Sequence, residues 1–171
     1  MRMKFLTLFA AVLLLGACET ASDEQAATDS GGSATSSSSS SDTVSSTAIP
    51  GPTPGSQEDL TVNVGDRVFF DFDRSELRPD ARETVDRLAV WLAANPSVTL
   101  TIEGHADERG TTEYNLALGA RRAASAHDYL IALGVSANRL STISYGEERP
   151  AVSGQGEWAW SQNRRDVFVV N

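Results

Sequence analysis

The chain has 171 residues and a formal net charge of −9, and its texture is uneven: 1–17 is apolar with basic residues at its start, 19–57 is nearly all small and polar, and only 58–171 carries regular hydrophobic patterning. A folded part of that size buries a core without covalent staples, and a single cysteine excludes an internal disulfide. The acidic balance, −11 once Arg2 and Lys4 are discounted, excludes the basic patch that nucleic acid needs and argues against adsorption to an anionic membrane by charge alone.

The first residues, Met1-Arg-Met-Lys-Phe5 and the apolar run after them, have signal-peptide anatomy, and the run is short for a transmembrane helix. Leu15-Gly16-Ala17-Cys18 resembles the bacterial lipobox. That resemblance implies cleavage before Cys18, a diacylglycerol on its thiol, a further acyl chain such as palmitate on the new N-terminus, and a lipid anchor. An incidental cysteine in an ordinary secretory signal is the alternative. In some bacteria, though not all, an Asp after that cysteine marks inner-membrane retention; Glu19 stands here instead, which leans the expectation to the outer membrane.

Residues 18–57 are expected to be the lipidated cysteine and a disordered Ser/Pro-rich tether, with six serines at 36–41 and a Pro/Gly end at 50–55. Such a segment buries too little to offset its ordering entropy. Stretched, it reaches roughly 130–140 Å; as a coil it spans about 30–40 Å.

In 58–171, Leu60–Val64 alternates and suggests a short strand. Asp66–Phe72 reads as the first clear strand, with Val68, Phe70 and Phe72 on one face. Pro79 opens a helix to about Ala94, with Val85, Leu88, Ala89 and Leu92 at helical spacing. Val98–Glu103 is the next strand, and Gly104 ends it. A polar loop, 105–111, precedes a helix over 113–133 whose apolar face takes Leu118, Ala126, Tyr129, Leu130 and Leu133, with Gly134 as its C-terminal cap. Leu140–Tyr145 is a strand closed by Gly146, Glu157–Asn163 a short helix, and Arg165–Val170 the last strand. Alternating strands and helices predict a sheet covered on one face, with no strand order derivable from pattern.

The motifs Phe70-Asp-Phe-Asp73, Glu103-Gly-His-Ala-Asp-Glu-Arg-Gly110, Tyr114-Asn115, Arg121-Arg122-Ala123, Ser144-Tyr-Gly-Glu147, Pro150-Ala-Val152 and Asn163-Arg-Arg165 stand in order over 66–171. Together they resemble the OmpA-like peptidoglycan-binding domain family, and the lipobox and tether fit its lipoprotein (Pal) branch. The resemblance implies an α+β fold: a mixed parallel and antiparallel four-stranded sheet with helices on one face. It implies non-covalent binding of the peptidoglycan stem peptide through meso-diaminopimelate, with Asp107 as the key acid, Arg122 as the key arginine, and Asp73 and Phe72 in a further contact loop. It also implies a TolB-like periplasmic partner, a Tol-Pal role in envelope integrity and cell division, no cofactor, and an outer-membrane position facing the periplasm. Another OmpA-like lipoprotein without a Tol role is the alternative.

The residues agree with a zwitterion clamp. An amino-acid ligand needs an anion for its ammonium and a cation for its carboxylate, and Arg meets a carboxylate as a fork where Lys cannot. Arg122 is expected in the early turns of its helix, where free N–H groups could reach the same carboxylate. A structural Asp107–Arg122 ion pair is the plainer reading of the two charges alone. His105 and Asp107 could share a metal, but with only His127 besides, a loop or surface histidine is expected. Glu103, Asp107 and Glu108 could supply a hydrolase with two acids, yet nothing assigns them different environments, and no Gly-x-Ser-x-Gly elbow occurs. Trp158 and Trp160 are read as core, with an exposed patch as alternative. Arg164 and Arg165 are read as structural, pairing with Glu147 or Glu148.

Overall fold

The structure, a computed structural model, describes residues 51–171; the signal segment, Cys18 and the tether up to residue 50 lie outside the described residues. The elements run α1 (Gln57–Asn63), β1 (Arg67–Phe69), α2 (Pro79–Ala94), β2 (Leu100–His105), α3 (Thr112–Ala132), a 3₁₀ turn (Ala137–Arg139), β3 (Leu140–Gly146), α4 (Glu157–Asn163) and β4 (Arg165–Val170). The sheet order is β1-β4-β2-β3, with β2 and β3 parallel and β4 antiparallel to both β1 and β2. This is the expected mixed four-stranded sheet with helices on one face, and it gives the strand order that pattern could not.

Residues 60–64 are not a strand. Ser56 caps a helix, its Oγ accepting from Asp59 N at 3.1 Å. Leu60 and Val64, four apart, then face the core together. Asp59 accepts from Gly55 N at 2.9 Å, Trp91 Nε1 at 2.9 Å and Asn63 Nδ2 at 2.6 Å, which ties α1 to α2. The first strand is also shorter than expected. Val68 and Phe70 are buried, but the chain turns after Phe70 and leaves Phe72 55% exposed. Asp73 there takes a positive φ of 55°, a conformation that a short polar side chain tolerates.

Leu100, Ile102 and Phe168 point inward from the sheet to meet Val85, Leu88 and Leu92 of α2 and Ala126 and Leu130 of α3. The opposite face carries Thr101, Glu103 and Ile143 by register. Two glycines let α3 lie directly on the strands: a Cβ on Gly119 would stand 2.7 Å from Gly104 O. At the far edge, β1 covers only the first half of β4. The Gln57 amide covers the rest, donating to Phe168 O at 3.1 Å and accepting from Val170 N at 2.8 Å.

Candidate functional site

Because β1, β2 and β3 run the same way and β4 runs against them, the ends of the first three and the start of the fourth meet at one edge of the sheet. Ligands bind outside the carboxyl ends of parallel strands in many α/β sheets. At this edge the 70–74 turn, the 106–111 loop, α3 and Arg164 enclose a pocket of about 240 Å³, lined by Phe72, Asp73, Asp107, Arg109, Gly110, Tyr114, Asn115, Leu118, Arg122 and Arg164. All four residues singled out in the sequence, Asp107, Arg122, Asp73 and Phe72, line it.

Asp107 and Arg122 do not pair with each other. Asp107 is 4% exposed. Its Oδ1 accepts from Arg109 N and Nε, both at 3.1 Å; its Oδ2 accepts from Arg109 Nη2 at 2.7 Å and Arg164 Nη1 at 3.2 Å. Burial pushes its carboxyl up, but the bonds from Arg109 and Arg164 outweigh that and hold it below the ordinary range.

Arg122 sits in the middle of α3, not in its early turns, so the helix's free N–H groups lie about 15 Å along the axis from its backbone. It is fully buried. Its Nε donates to Arg74 O at 2.8 Å, Nη1 to His105 O at 2.8 Å and Nη2 to Asp71 O at 3.1 Å, and its guanidinium lies over the Phe70 ring. Burial lowers its pKa to about 10 against the pull of Asp166, so it stays charged at neutral pH. The side chain therefore sews the 70–74 turn to the end of β2 and lines the pocket, with two of its five N–H groups left over from those three bonds.

Tyr114 donates to Asp73 and fixes that carboxylate at the mouth. Asn115 Nδ2 donates to Arg109 O at 3.3 Å and Glu147 Oε2 at 2.6 Å, pinning the loop.

Several residues read otherwise from sequence. His105 is not at the surface: it is 1% exposed, 5.6 Å from the Tyr145 ring between centroids, with neither ring nitrogen hydrogen-bonded. Burial, then Arg165 and Arg149, lowers its pKa to about 4. Trp158 and Trp160 are not core. Trp158 is 72% exposed, and Trp160 lies against the site, its Nε1 donating to Glu108 at 3.0 Å. Arg164 pairs with Asp107 and, at 2.5 Å, with Glu157 rather than with Glu147 or Glu148; Arg165 donates to main-chain carbonyls. Arg109 and Arg164 also line the pocket, and Trp160 stacks on Arg109. The two-residue spacing of Asp107 and Arg109 in a turn is the one sequence signal for the first; Trp160 and Arg164 come from more than 50 residues beyond Asp107 and leave no local trace.

Residues 69–164 match the OmpA family. The chain is 62% identical over 118 residues to the peptidoglycan-associated lipoprotein of Rhizobium meliloti, covering 69% of this chain and 67% of that one. It is 59% identical over 119 residues to the protein of the same name from Brucella melitensis, covering 70% and 71%. Among solved structures, the peptidoglycan-associated lipoprotein of Burkholderia pseudomallei superposes with a TM-score of 0.62 at 35% identity, over 66% of this chain and all of that one. The Helicobacter pylori MotB C-terminal domain shares the fold at 23% identity and a TM-score of 0.58, over 62% and 84%. With its strand order, its edge pocket and a match across more than half its length, this chain belongs to the OmpA family.

Proposed function

We propose that this protein is a lipid-anchored outer-membrane lipoprotein whose domain, facing the periplasm, binds peptidoglycan non-covalently through the meso-diaminopimelate of the stem peptide, and that it does so as part of a Tol-Pal system with a TolB-like partner. The observation that carries the reading is the pocket that gathers Asp107, Arg122, Asp73 and Phe72 at one sheet edge, in a chain whose relatives are named for peptidoglycan association. Its roughly 240 Å³ is small beside the ~300–1,000 Å³ of drug-sized sites. That size suits one amino-acid side chain with charged ends, not a glycan strand. The ligand's ammonium takes Asp107, its carboxylate takes the free part of the Arg122 fork, and the aliphatic stem lies on Phe72. Asp73 offers a second anion at the mouth.

Hydrolysis is the weaker reading. A general acid needs a raised pKa, whereas Asp107 is held low by two arginines. Glu103 does not line the pocket that holds Asp107; its carboxylate lies 3.8 Å from His105.

Co-sedimentation of the protein with purified peptidoglycan tests the reading. Asp107→Ala is expected to weaken binding about 10–100-fold, the loss of one charged hydrogen-bonding partner. Arg122→Lys keeps the charge and is expected to weaken it markedly; if it sediments like wild type, the fork account is wrong. Free meso-diaminopimelate should compete, and failure to do so would remove the diaminopimelate assignment. A pull-down with TolB separates a Tol role from a wall anchor alone.

A further inference from the structure

Of the three arginines that line the pocket, Arg109 alone has a guanidinium held by side chains, with no described bond to a main-chain carbonyl. Its guanidinium carbon lies 4.0 Å from the centre of the Phe72 ring and 4.2 Å from that of Trp160, so both rings lie against it. Its Nη2 is 2.7 Å from Asp107, and its Nη1 is 3.8 Å from Glu157. Phe72, Trp160, Asp107 and Glu157 thus form an aromatic-walled, acid-floored slot of the kind that takes an organic cation.

Asp107 has no vacant position. Four donors already meet its two oxygens, so an incoming ammonium must replace one. Arg164 is locked: its side chain is 7% exposed and its Nε donates to Phe70 O at 3.1 Å. The Arg109 side chain is 30% exposed and makes no side-chain bond to the main chain among the described contacts. Its own backbone is fixed by Asn115, so departure is a swing of the side chain alone.

We propose that the Phe72–Trp160 slot is a cation subsite whose resident in the free protein is Arg109, and that a ligand ammonium binds by exchanging with that guanidinium. The exchange rests on the ligand class proposed above; the slot itself does not. The resident lowers apparent affinity, because only the fraction of molecules with Arg109 swung out is competent. Trp160 becomes a wall of the ligand site when Arg109 leaves.

The test uses the full-length chain and its Arg109→Ala variant, each checked for a wild-type melt, with tryptophan emission as readout. Methylguanidinium is the probe for the empty slot. It should bind Arg109→Ala in the roughly millimolar range, fail to bind wild type, and fail to bind Arg109→Ala/Phe72→Leu, which keeps Trp160 as the reporter. No binding to Arg109→Ala, or equal binding to wild type, overturns the slot. Meso-diaminopimelate is then titrated into both. Arg109→Ala should bind about tenfold more tightly, as expected if about a tenth of wild-type molecules are open, and methylguanidinium should erase the gain. Weaker binding by Arg109→Ala would make Arg109 a ligand contact and overturn the exchange. If neither protein binds diaminopimelate while methylguanidinium fills the variant, the ligand assignment fails and the slot stands.

Discussion

Arg122 and Arg139 each point three nitrogens at main-chain carbonyls, one at the pocket after β2 and one at the turn before β2. Arg139 holds Leu92, Asn95 and Val98 at 2.7–3.1 Å and so fixes the α2–β2 turn. A guanidinium suits this work because its donors are fixed in a plane and it keeps its charge when buried. His105 is the opposite case, a buried ring held neutral with no partner. Its pKa falls from 6.5 to about 4, so the unfolded chain binds more protons between those values. Its contribution is full above about pH 6.5 and lost as pH falls to 4, an effect of up to about 3 kcal/mol. Urea melts from pH 7 to pH 4 should show that loss in wild type, and His105→Asn should flatten the profile.

The pocket depends on how closely α3 rides on the sheet. Gly104 and Gly119 touch through their backbones, and a Cβ on Gly146 would stand 2.8 Å from Leu116 N. Gly119→Ala is expected to cost on the order of 2–4 kcal/mol by pushing α3 off β2 and β3, and to impair wall binding beyond the loss of folded protein. A thermal melt read beside co-sedimentation of the folded fraction checks both. The same elements show what the chain's pattern made legible. α2, α3, α4 and β4 fall within a residue of their expected bounds, the first two because their apolar period runs over several turns, from Pro79 and from the Thr111 cap. Leu60–Val64 fits both a two-residue and a four-residue period, and Ser56, just outside that window, decides for helix. Asp107 and Arg122 were visible through a motif, but not their bonding: Arg122 serves carbonyls 48 and 51 residues away, and Arg164 reaches Asp107 across 57. Contacts at that separation are made by topology and leave no periodic mark.

At the scale of the whole protein, the proposed mechanism joins two reversible holds, acyl chains in a membrane and a small pocket on a polymer. Each is modest, and a tether raises the effective concentration of the second once the first is made. Mass spectrometry of the mature N-terminus should find Cys18 acylated. Cys18→Ala should move the protein to the soluble periplasmic fraction while its domain still sediments with purified peptidoglycan. An unmodified Cys18, or cleavage elsewhere, would remove the anchor half of the mechanism.

On the proposed mechanism the domain is also a mechanical part. Force from the membrane side would load α1, whose Asp59 is tied to Trp91 and whose Gln57 amide grips the outer edge of β4. The other end of that strand begins beside Arg164, which holds Asp107. The line of tension therefore runs from the tether junction along one strand to the floor of the pocket. Gln57→Ala should lower the force at which the domain yields when pulled from its N-terminal side in single-molecule stretching, with little change in unloaded wall affinity.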